Sequence, residues 1–288
     1  MISRAHITAW RTHASWSTDA QVEQDLIISR AIVEVFSDPV LSGRLAFRGG
    51  TALHKLYLTP PARYSEDIDL VQVEAGPIGD IMTALRRRLD PWLGAPRRKQ
   101  SEGRMTMIYR FDSEISPITP LRLKVEVNTR EHFSVFGFMR KPFAVDSPWF
   151  RGSAELQSYE LEELLATKLR ALHQRSKGRD LYDLAAAVER FPQLDLAKVV
   201  ECFERYLEHE GHRVSRAEFE ESMAGKMRDP SFHGDIEPLL AAAEVHADAL
   251  ERGTSQGGAV PYNQEAAYHS VHEALIERLP GEPWKGPQ

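Results

Sequence analysis

One eight-residue segment restricts the fold of this chain more than any other. Across residues 121–128, LRLKVEVN, apolar and polar side chains alternate without a break. Such alternation is typical of a β-strand with one buried face, because successive side chains point to opposite faces of a sheet. The apolar face carries Leu121, Leu123, Val125 and Val127, and the polar face carries Arg122, Lys124, Glu126 and Asn128. The chain must therefore build a sheet that is covered on at least one face.

Helices and strands interleave around this segment. Apolar runs predict strands at 45–47, 68–73 and 105–111, and helical spacing predicts helices at 20–37, 51–58 and 78–93. This order predicts an α+β fold in which a mixed sheet with flanking helices forms the first half. From about residue 150 the periodicity is helical and no strand pattern stands out. We therefore predict a sheet domain at 1–152, a helical domain at 153–252, and a linker, terminal helix and frayed tail at 253–288.

Charge and cysteine content limit the class of protein. The 288 residues carry a net charge of −6 and one cysteine, Cys202. A single cysteine excludes an internal disulfide and favours a reducing compartment. No apolar run approaches the ~20 residues that cross a bilayer. We expect a cytoplasmic protein with no membrane partner, and the negative charge disfavours a surface built throughout for nucleic acid.

A pair of aspartates begins the strand predicted near residue 68. Asp67 and Asp69 are two residues apart, so their carboxylates project from one face and repel each other unless a cation lies between them. Mg²⁺ prefers oxygen ligands and is often held by one or two carboxylates together with substrate phosphates. Glu126 is a candidate third carboxylate, and three such groups can hold two metal ions. The alternatives are a solvated strand face for the pair and a cross-strand ion pair for Glu126.

Two glycines separate a short strand from a helix ahead of this acid pair. Gly49 and Gly50 would let backbone N–H groups approach a phosphate closely, and Thr51 would add a hydroxyl donor. The P-loop pattern G-x-x-x-x-G-K-[ST] is absent. A tight turn without ligand is the alternative.

Together these motifs resemble the signature of polymerase-β-like nucleotidyltransferases. Within that superfamily, FRGGTALHKLY, RYSEDIDL and KLRALHQRSKGRDLYDL resemble the AbiEii/AbiGii toxin family, which includes the MenT toxins of type IV toxin–antitoxin systems. The resemblance runs from about residue 20 to residue 245. It implies a nucleotidyltransferase fold, an NTP substrate, Mg²⁺ or Mn²⁺ as cofactor and a cognate antitoxin. Members of the family transfer nucleotides, in some cases to the 3′ end of tRNA.

The resemblance also implies roles for residues in the second half. Lys168, in KLRAL, matches a functional lysine, and Asp183, in RDLYDL, matches a catalytic aspartate. Ser65 lies where the family has a functional serine, ahead of the acid pair. Lys177 and Arg179 are candidates to bind phosphate oxygens. Taken alone, Lys168 lies on an apolar helical stripe, where a snorkelling lysine is the alternative.

The predicted site therefore comprises three overlapping sets, with the cleft between the two domains as its expected location. The catalytic set is Asp67, Asp69, Lys168 and Asp183, the nucleotide-binding set is Gly49, Gly50, Thr51, Ser65, Lys168, Lys177 and Arg179, and the metal set is Asp67, Asp69 and Glu126.

The acceptor is less restricted by the sequence. Basic runs at 86–88, in a predicted loop at 97–99, and at 175–179 are candidates for gripping RNA, and solvated faces are the alternative. We expect an RNA acceptor, with a tRNA end first. A protein or small-molecule acceptor stays open, as does a nucleotide-binding regulatory module without catalysis.

Overall fold

The structure is a computed structural model that describes residues 2–240 and 262–286. The chain divides into two compact units, Met1–Glu160 and Leu161–Gln288. Within the described ranges, no helix combines the length and the apolar character that crossing a membrane requires. Residues 253–261 of the predicted linker lie outside the described residues.

The first unit alternates helices and strands. In chain order they are α1 (Arg4–Trp10), α2 (Asp19–Phe36), α3 (Pro39–Arg44), β1 (Leu45–Arg48), α4 (Gly49–Leu56), β2 (Asp67–Gln72), α5 (Gly79–Leu93), β3 (Arg97–Ser101), β4 (Arg104–Asp112), β5 (Pro120–Asn128), β6 (Met139–Asp146) and β7 (Arg151–Ser158). Every strand and helix predicted before residue 130 is present, with ends shifted by one or two residues.

All seven strands form one sheet in the order β3-β4-β5-β2-β1-β7-β6. β2 is parallel to β5 and antiparallel to β1, and β1 is parallel to β7. The β3–β4, β4–β5 and β6–β7 pairs are antiparallel. Because parallel and antiparallel pairs coexist and helices flank the sheet, the predicted α+β fold with a mixed sheet is confirmed.

The sheet continues further along the chain than predicted. β6 and β7 form an antiparallel hairpin, and β7 joins the sheet where Ser158 pairs with Phe47 of β1. The prediction of no strand after residue 150 was therefore wrong, and the unit ends after Glu160 instead of near 152. The run at 97–99 belongs to the edge strand β3 and not to a loop. β3 is exposed throughout, and the half-buried faces of β6 and β7 include Lys141, Gly152 and Ser158 among their apolar residues, so the sequence alternation that identifies a half-buried strand is weak or missing.

A buried carboxylate ties three helices of this unit together. Asp25 of α2 is 2% exposed and accepts hydrogen bonds from the indole N–H groups of Trp10, at 2.8 Å, and Trp16, at 3.2 Å. The Nζ of Lys55 lies 2.7 Å from both Asp25 oxygens. Lys55 belongs to α4, the helix that begins at Gly49. This cluster therefore fixes the helix that precedes the acid pair.

We expect Asp25→Ala to lower the free energy of unfolding by about 3–5 kcal/mol, because it leaves the Lys55 charge buried without its partner. Urea denaturation measures the loss. The matched control is Asp19→Ala in the same helix, which removes an ion pair to Arg11 whose side chains are 38% and 39% exposed. Exposed pairs contribute about 0–1 kcal/mol. Equal losses in both variants would contradict a stabilising role for the Asp25 cluster.

The second unit is helical, as predicted. Its helices are α6 (Leu161–Gln174), α7 (Gly178–Arg190), α8 (Leu196–His209), α9 (Arg216–Lys226), α10 (Pro230–Gly234) and α11 (Gln264–Ala274), with 3₁₀ turns at Glu237–Leu239 and Ile276–Arg278. The backbone N–H of Trp284 donates to Glu220 at 2.6 Å, and that of Arg216 donates to the Pro280 carbonyl at 2.8 Å. This part of the tail therefore packs on α9 instead of fraying.

Candidate active site

The register of β2 and β5 brings the predicted carboxylates of the first unit to one face of the sheet. Asp67 pairs with Lys124 and Asp69 pairs with Glu126. Opposed residues of neighbouring strands share a face, so Asp67, Asp69, Lys124 and Glu126 all project from the same side. The alternation in residues 121–128 predicts the side on which Glu126 lies, and the structure supplies its neighbours.

A lysine lies among these carboxylates. The Nζ of Lys124 is 2.9 Å from Asp67 Oδ2 and 3.5 Å from Glu126 Oε2. Although burial opposes the charged form, the hydrogen bond to Asp67 and the neighbouring carboxylates raise the pKa of Lys124. The other oxygen of Glu126 lies 3.1 Å from Arg104 Nε. Sequence reasoning missed Lys124 as a site residue, although its place beside Glu126 on the polar face was the available signal.

One buried oxygen of the acid pair has no hydrogen-bond partner among the described residues. Asp67 Oδ1 is buried and accepts no hydrogen bond within the described ranges. Burial raises the pKa of the Asp69 carboxyl above its ordinary value, and the adjacent Asp67 carboxylate raises it further. Asp67 therefore offers a buried oxygen that accepts no hydrogen bond, and Asp69 offers a carboxylate whose ionised form needs a nearby positive charge. A hard divalent cation satisfies both needs, because it binds oxygen ligands. Asp67 and Asp69 therefore fit Mg²⁺.

Glu126 is not free to complete a three-carboxylate site in this arrangement. In the described part of the chain, no three His, Cys, Asp or Glu side chains converge on a point that would hold a metal ion. Arg104 and Lys124 account for both oxygens of Glu126. A metal-binding role for Glu126 stays a prediction that requires these two cations to move.

Gly49 is required by its backbone conformation and by the closeness of Asp69. Its φ is +80°, a conformation that residues with a side chain rarely adopt. A Cβ at this position would overlap the carboxylate of Asp69. Helix α4 begins here, and Arg48, the residue before it, makes no side-chain capping hydrogen bond. The Gly-Gly turn thus places the start of α4 beside Asp69, and the N-terminus of a helix favours an anionic ligand.

Two hydroxyl groups of the predicted nucleotide-binding set bind each other. Thr51 Oγ1 lies 2.8 Å from Ser65 Oγ and also hydrogen-bonds to the Asp67 carbonyl oxygen. Thr51 is buried. These contacts fix the start of β2 against α4, so the two hydroxyls position the acid pair. Direct contact of either hydroxyl with nucleotide stays a prediction.

The second unit holds a buried ion cluster around Lys168. Its Nζ lies 2.7 Å from Asp183 Oδ2 and 3.1 Å from Asp180 Oδ1. The Lys168 side chain is 8% exposed and both aspartates are fully buried. The ammonium group therefore points into the interior of the unit, and snorkelling toward solvent does not describe it.

Arg175 completes this cluster on the far side of Asp180. Its guanidinium donates to both Asp180 oxygens, at 2.7 and 2.9 Å. Although burial opposes ionisation, Lys168 and Arg175 together lower the pKa of Asp180. Sequence reasoning predicted Lys168 and Asp183 but missed Asp180 and Arg175 as members of this cluster. The available signal for Asp180 was its spacing from Asp183, since residues three apart share one face of α7.

The two predicted phosphate-binding cations of the second unit share one acidic partner. Lys177 Nζ lies 3.1 Å and Arg179 Nε 3.6 Å from the carboxylate of Asp235. Both side chains are partly exposed, at 46% and 32%. Their contact with phosphate stays a prediction.

Comparisons with known proteins identify a family and a similar fold. The family model described as nucleotidyl transferase AbiEii toxin, type IV TA system, matches residues 30–252. Among solved structures, MenT4, a nucleotidyltransferase toxin from Mycobacterium tuberculosis H37Rv, is similar with a TM-score of 0.56 and 16% identity, covering 97% of this chain and 91% of that one. JHP933 from Helicobacter pylori gives a TM-score of 0.42 at 18% identity, over 68% of this chain and 78% of that one. A comparison with curated proteins gives no match.

Proposed function

The chain belongs to the AbiEii nucleotidyl transferase toxin family of type IV toxin–antitoxin systems, and on that basis we propose that it transfers a nucleotide from an NTP to the 3′ end of tRNA. The reaction depends on Mg²⁺, with Mn²⁺ as a substitute. The observation that carries the proposal is the acid pair on β2, set against the uncapped N-terminus of α4 at Gly49. A cognate antitoxin would restrain the activity in the cell.

Each part of the first unit has a role in this proposal. The N–H groups at Gly49 and Gly50 bind the triphosphate. Thr51 and Ser65 hold β2 against α4, the helix that begins with these two glycines. Asp67 and Asp69 would hold the metal ion, which would supply charge neutralisation for the triphosphate and the leaving group. Lys124 neutralises Asp67 in this structure and would have to release it to a bound cation.

The proposed step conserves atoms and charge. The 3′-hydroxyl oxygen of the acceptor attacks the α-phosphorus of the NTP and forms a new P–O bond. The bond between the α-phosphorus and the bridging oxygen breaks, and pyrophosphate leaves with that oxygen. The hydroxyl proton passes to a carboxylate of the site. Positioning and electrostatic stabilisation carry most of the catalysis in transfers of this kind.

The Lys168 cluster contributes to the same activity in our proposal, as the family resemblance implies. Lys168 and Asp183 are held within 2.7 Å of each other inside the second unit, so they act as a fixed pair. Lys177 and Arg179 add positive charge at the start of α7 for phosphate oxygens.

Incubation with α-³²P-labelled NTPs and deproteinised total RNA tests the proposal. We expect one of the four nucleotides to label RNA of tRNA size in the presence of Mg²⁺, and EDTA to abolish the label. Expression of the protein should also stop growth, whereas an Asp69→Asn variant should not. Label that enters only protein, with none in RNA for any nucleotide, would replace the tRNA acceptor with a protein acceptor.

A further inference from the structure

Cations collect on the face of the sheet that carries the acid pair, toward the edge formed by β3. The registers of four strands define two rows across this face. Asp67, Lys124, Ile108 and Arg97 form one row, and Asp69, Glu126, Thr106 and Lys99 form the other. Neighbouring strands are about 4.8 Å apart, so the β3 cations lie three strands, or about 14 Å, from the acid pair.

A third cation extends the same face. Arg110 of β4 pairs with Arg122 of β5, in the next row along the strands from Lys124. Arg97, Lys99 and Arg110 are all exposed. We call these three residues the basic strip. Arg97 and Lys99 lie on β3, the strand at this edge of the sheet among the described residues, and Arg110 lies on its neighbour β4.

The basic strip carries charge that the protein leaves uncompensated. Within residues 2–240 and 262–286, Arg97, Lys99 and Arg110 form no ion pair or hydrogen bond through their side chains. Other arginines on this face do have partners: Arg104 lies 3.1 Å from Glu126, and Arg122 lies 3.5 Å from Glu66.

The basic run at 86–88, in contrast, has a structural role, because each of its arginines pairs with an acidic residue. Arg87 and Arg88 lie 2.7 and 3.1 Å from Asp38, the residue that caps α3, and Arg86 lies 2.9 Å from Asp90. Arg87 and Arg88 join α5 to α3, Arg86 pairs within α5, and all three charges already have acidic partners. Of the two basic runs in the first unit, only the one on β3 is left available for a ligand.

We propose that the basic strip binds the phosphate backbone of the polynucleotide whose 3′ end enters the site. The inference rests on the proposed function and assigns the acceptor a surface. A sheet face with unpaired cations and no aromatic side chain in these rows suits phosphate contacts better than base stacking. The distance of about 14 Å from the acid pair suits the chain behind the reacting end and excludes the triphosphate itself.

Salt-dependent binding of a short, fluorescein-labelled single-stranded RNA, measured by anisotropy without NTP, tests the strip. Each phosphate contact on single strands contributes about 0.7 to the slope of log K against log salt. We expect the double variant Arg97→Gln/Lys99→Gln to lose about 1.4 from that slope, as two contacts disappear. The Arg110→Gln variant should lose about half as much.

A double variant on other surfaces provides the matched control. Arg98 is equally exposed on β3 but points to the opposite face, and Arg4 is exposed on helix α1, outside the sheet. Arg98→Gln/Arg4→Gln removes the same charge and should leave the slope unchanged. Equal losses in both double variants, or no loss in either, would overturn the proposal, as would failure of the wild type to bind the oligonucleotide.

Two further comparisons distinguish RNA from DNA as the ligand, and failure of the basic strip from failure of the proposed function. A DNA oligonucleotide of the same sequence should bind equally well if the strip contacts phosphates alone, and more weakly if the protein also contacts the RNA 2′-hydroxyl. Either result is consistent with the strip. Binding is measured without transfer, so a wild type that binds RNA through the strip but incorporates no label contradicts the proposed function alone. Transfer that persists with slopes unchanged by the strip variant contradicts the strip alone.

Discussion

Replacing Asp69 by Asn is expected to abolish nucleotide transfer while leaving the protein at least as stable as the wild type. The Asn side chain keeps the shape of the Asp69 side chain, which packs against Gly49, and removes one negative charge from the acid pair. Lost metal stabilisation of several kcal/mol corresponds to about a thousandfold lower rate, since about 1.4 kcal/mol is tenfold. Initial rates of α-³²P incorporation measure the effect.

The thermal stability of the Asp69→Asn variant should be maintained or increased, although its activity is lost. Burial and the Asp67 charge raise the pKa of Asp69, so the fold disfavours the ionised form of this carboxyl. A neutral amide removes that penalty at neutral pH, and the midpoint of thermal unfolding should hold or rise. Asp80→Asn is the matched control, because the Asp80 side chain is 86% exposed on α5. Wild-type rates in the Asp69→Asn variant would sink the assignment of the acid pair.

The second large effect concerns Lys168, whose replacement by Ala should damage both folding and transfer. The variant leaves Asp180 and Asp183 fully buried without their shared cation. Removing one partner of a buried ion pair costs about 3–5 kcal/mol of unfolding free energy. Arg213→Ala, which breaks an ion pair to Glu208 that is more than half exposed, should cost about 0–1 kcal/mol in the same urea titration.

The pH dependence supplies a further signature of the cluster. The pKa of Asp180 is lowered in the folded wild type, so its contribution to stability is present above its unfolded pKa of about 3.9 and is lost as the pH falls toward the folded value. In Lys168→Ala the buried carboxylates gain protons more readily, and the deficit against wild type should shrink on acidification. A stability loss without any loss of transfer below the unfolding temperature would make Lys168 a structural residue only.

The sequence predicts much of the first unit because strong local signals coincide there. The alternation in residues 121–128 and the apolar runs around it identify β5, β2 and β4, since half-buried strands need period-two patterns. β3 has only exposed residues, and on β6 Lys141 interrupts the half-buried face and Pro142 follows it, so neither sequence shows a clear period-two pattern. Edge strands of this kind are specified by their neighbours and not by their own composition.

The site residues also fall into those that local sequence patterns predict and those that depend on tertiary contacts. Asp67, Asp69 and Gly49 follow from spacing, because two-residue periodicity and a Gly-Gly turn have direct geometric meaning. The position of Lys124 between two carboxylates depends on the parallel register of β2 and β5, which no local pattern encodes. Likewise Lys168 gives a helical stripe in sequence, whereas its two aspartate partners come from the packing of α7 against α6.

The fate of the two ends of the triphosphate tests the central claim most directly. In parallel reactions, the protein is incubated with RNA and an NTP labelled with ³²P at either the α or the γ phosphorus. The account predicts α label in RNA and γ label in free pyrophosphate, in equal amounts and both dependent on Asp69. Transfer of the γ label to the acceptor would show phosphoryl transfer instead and would contradict a nucleotidyltransferase.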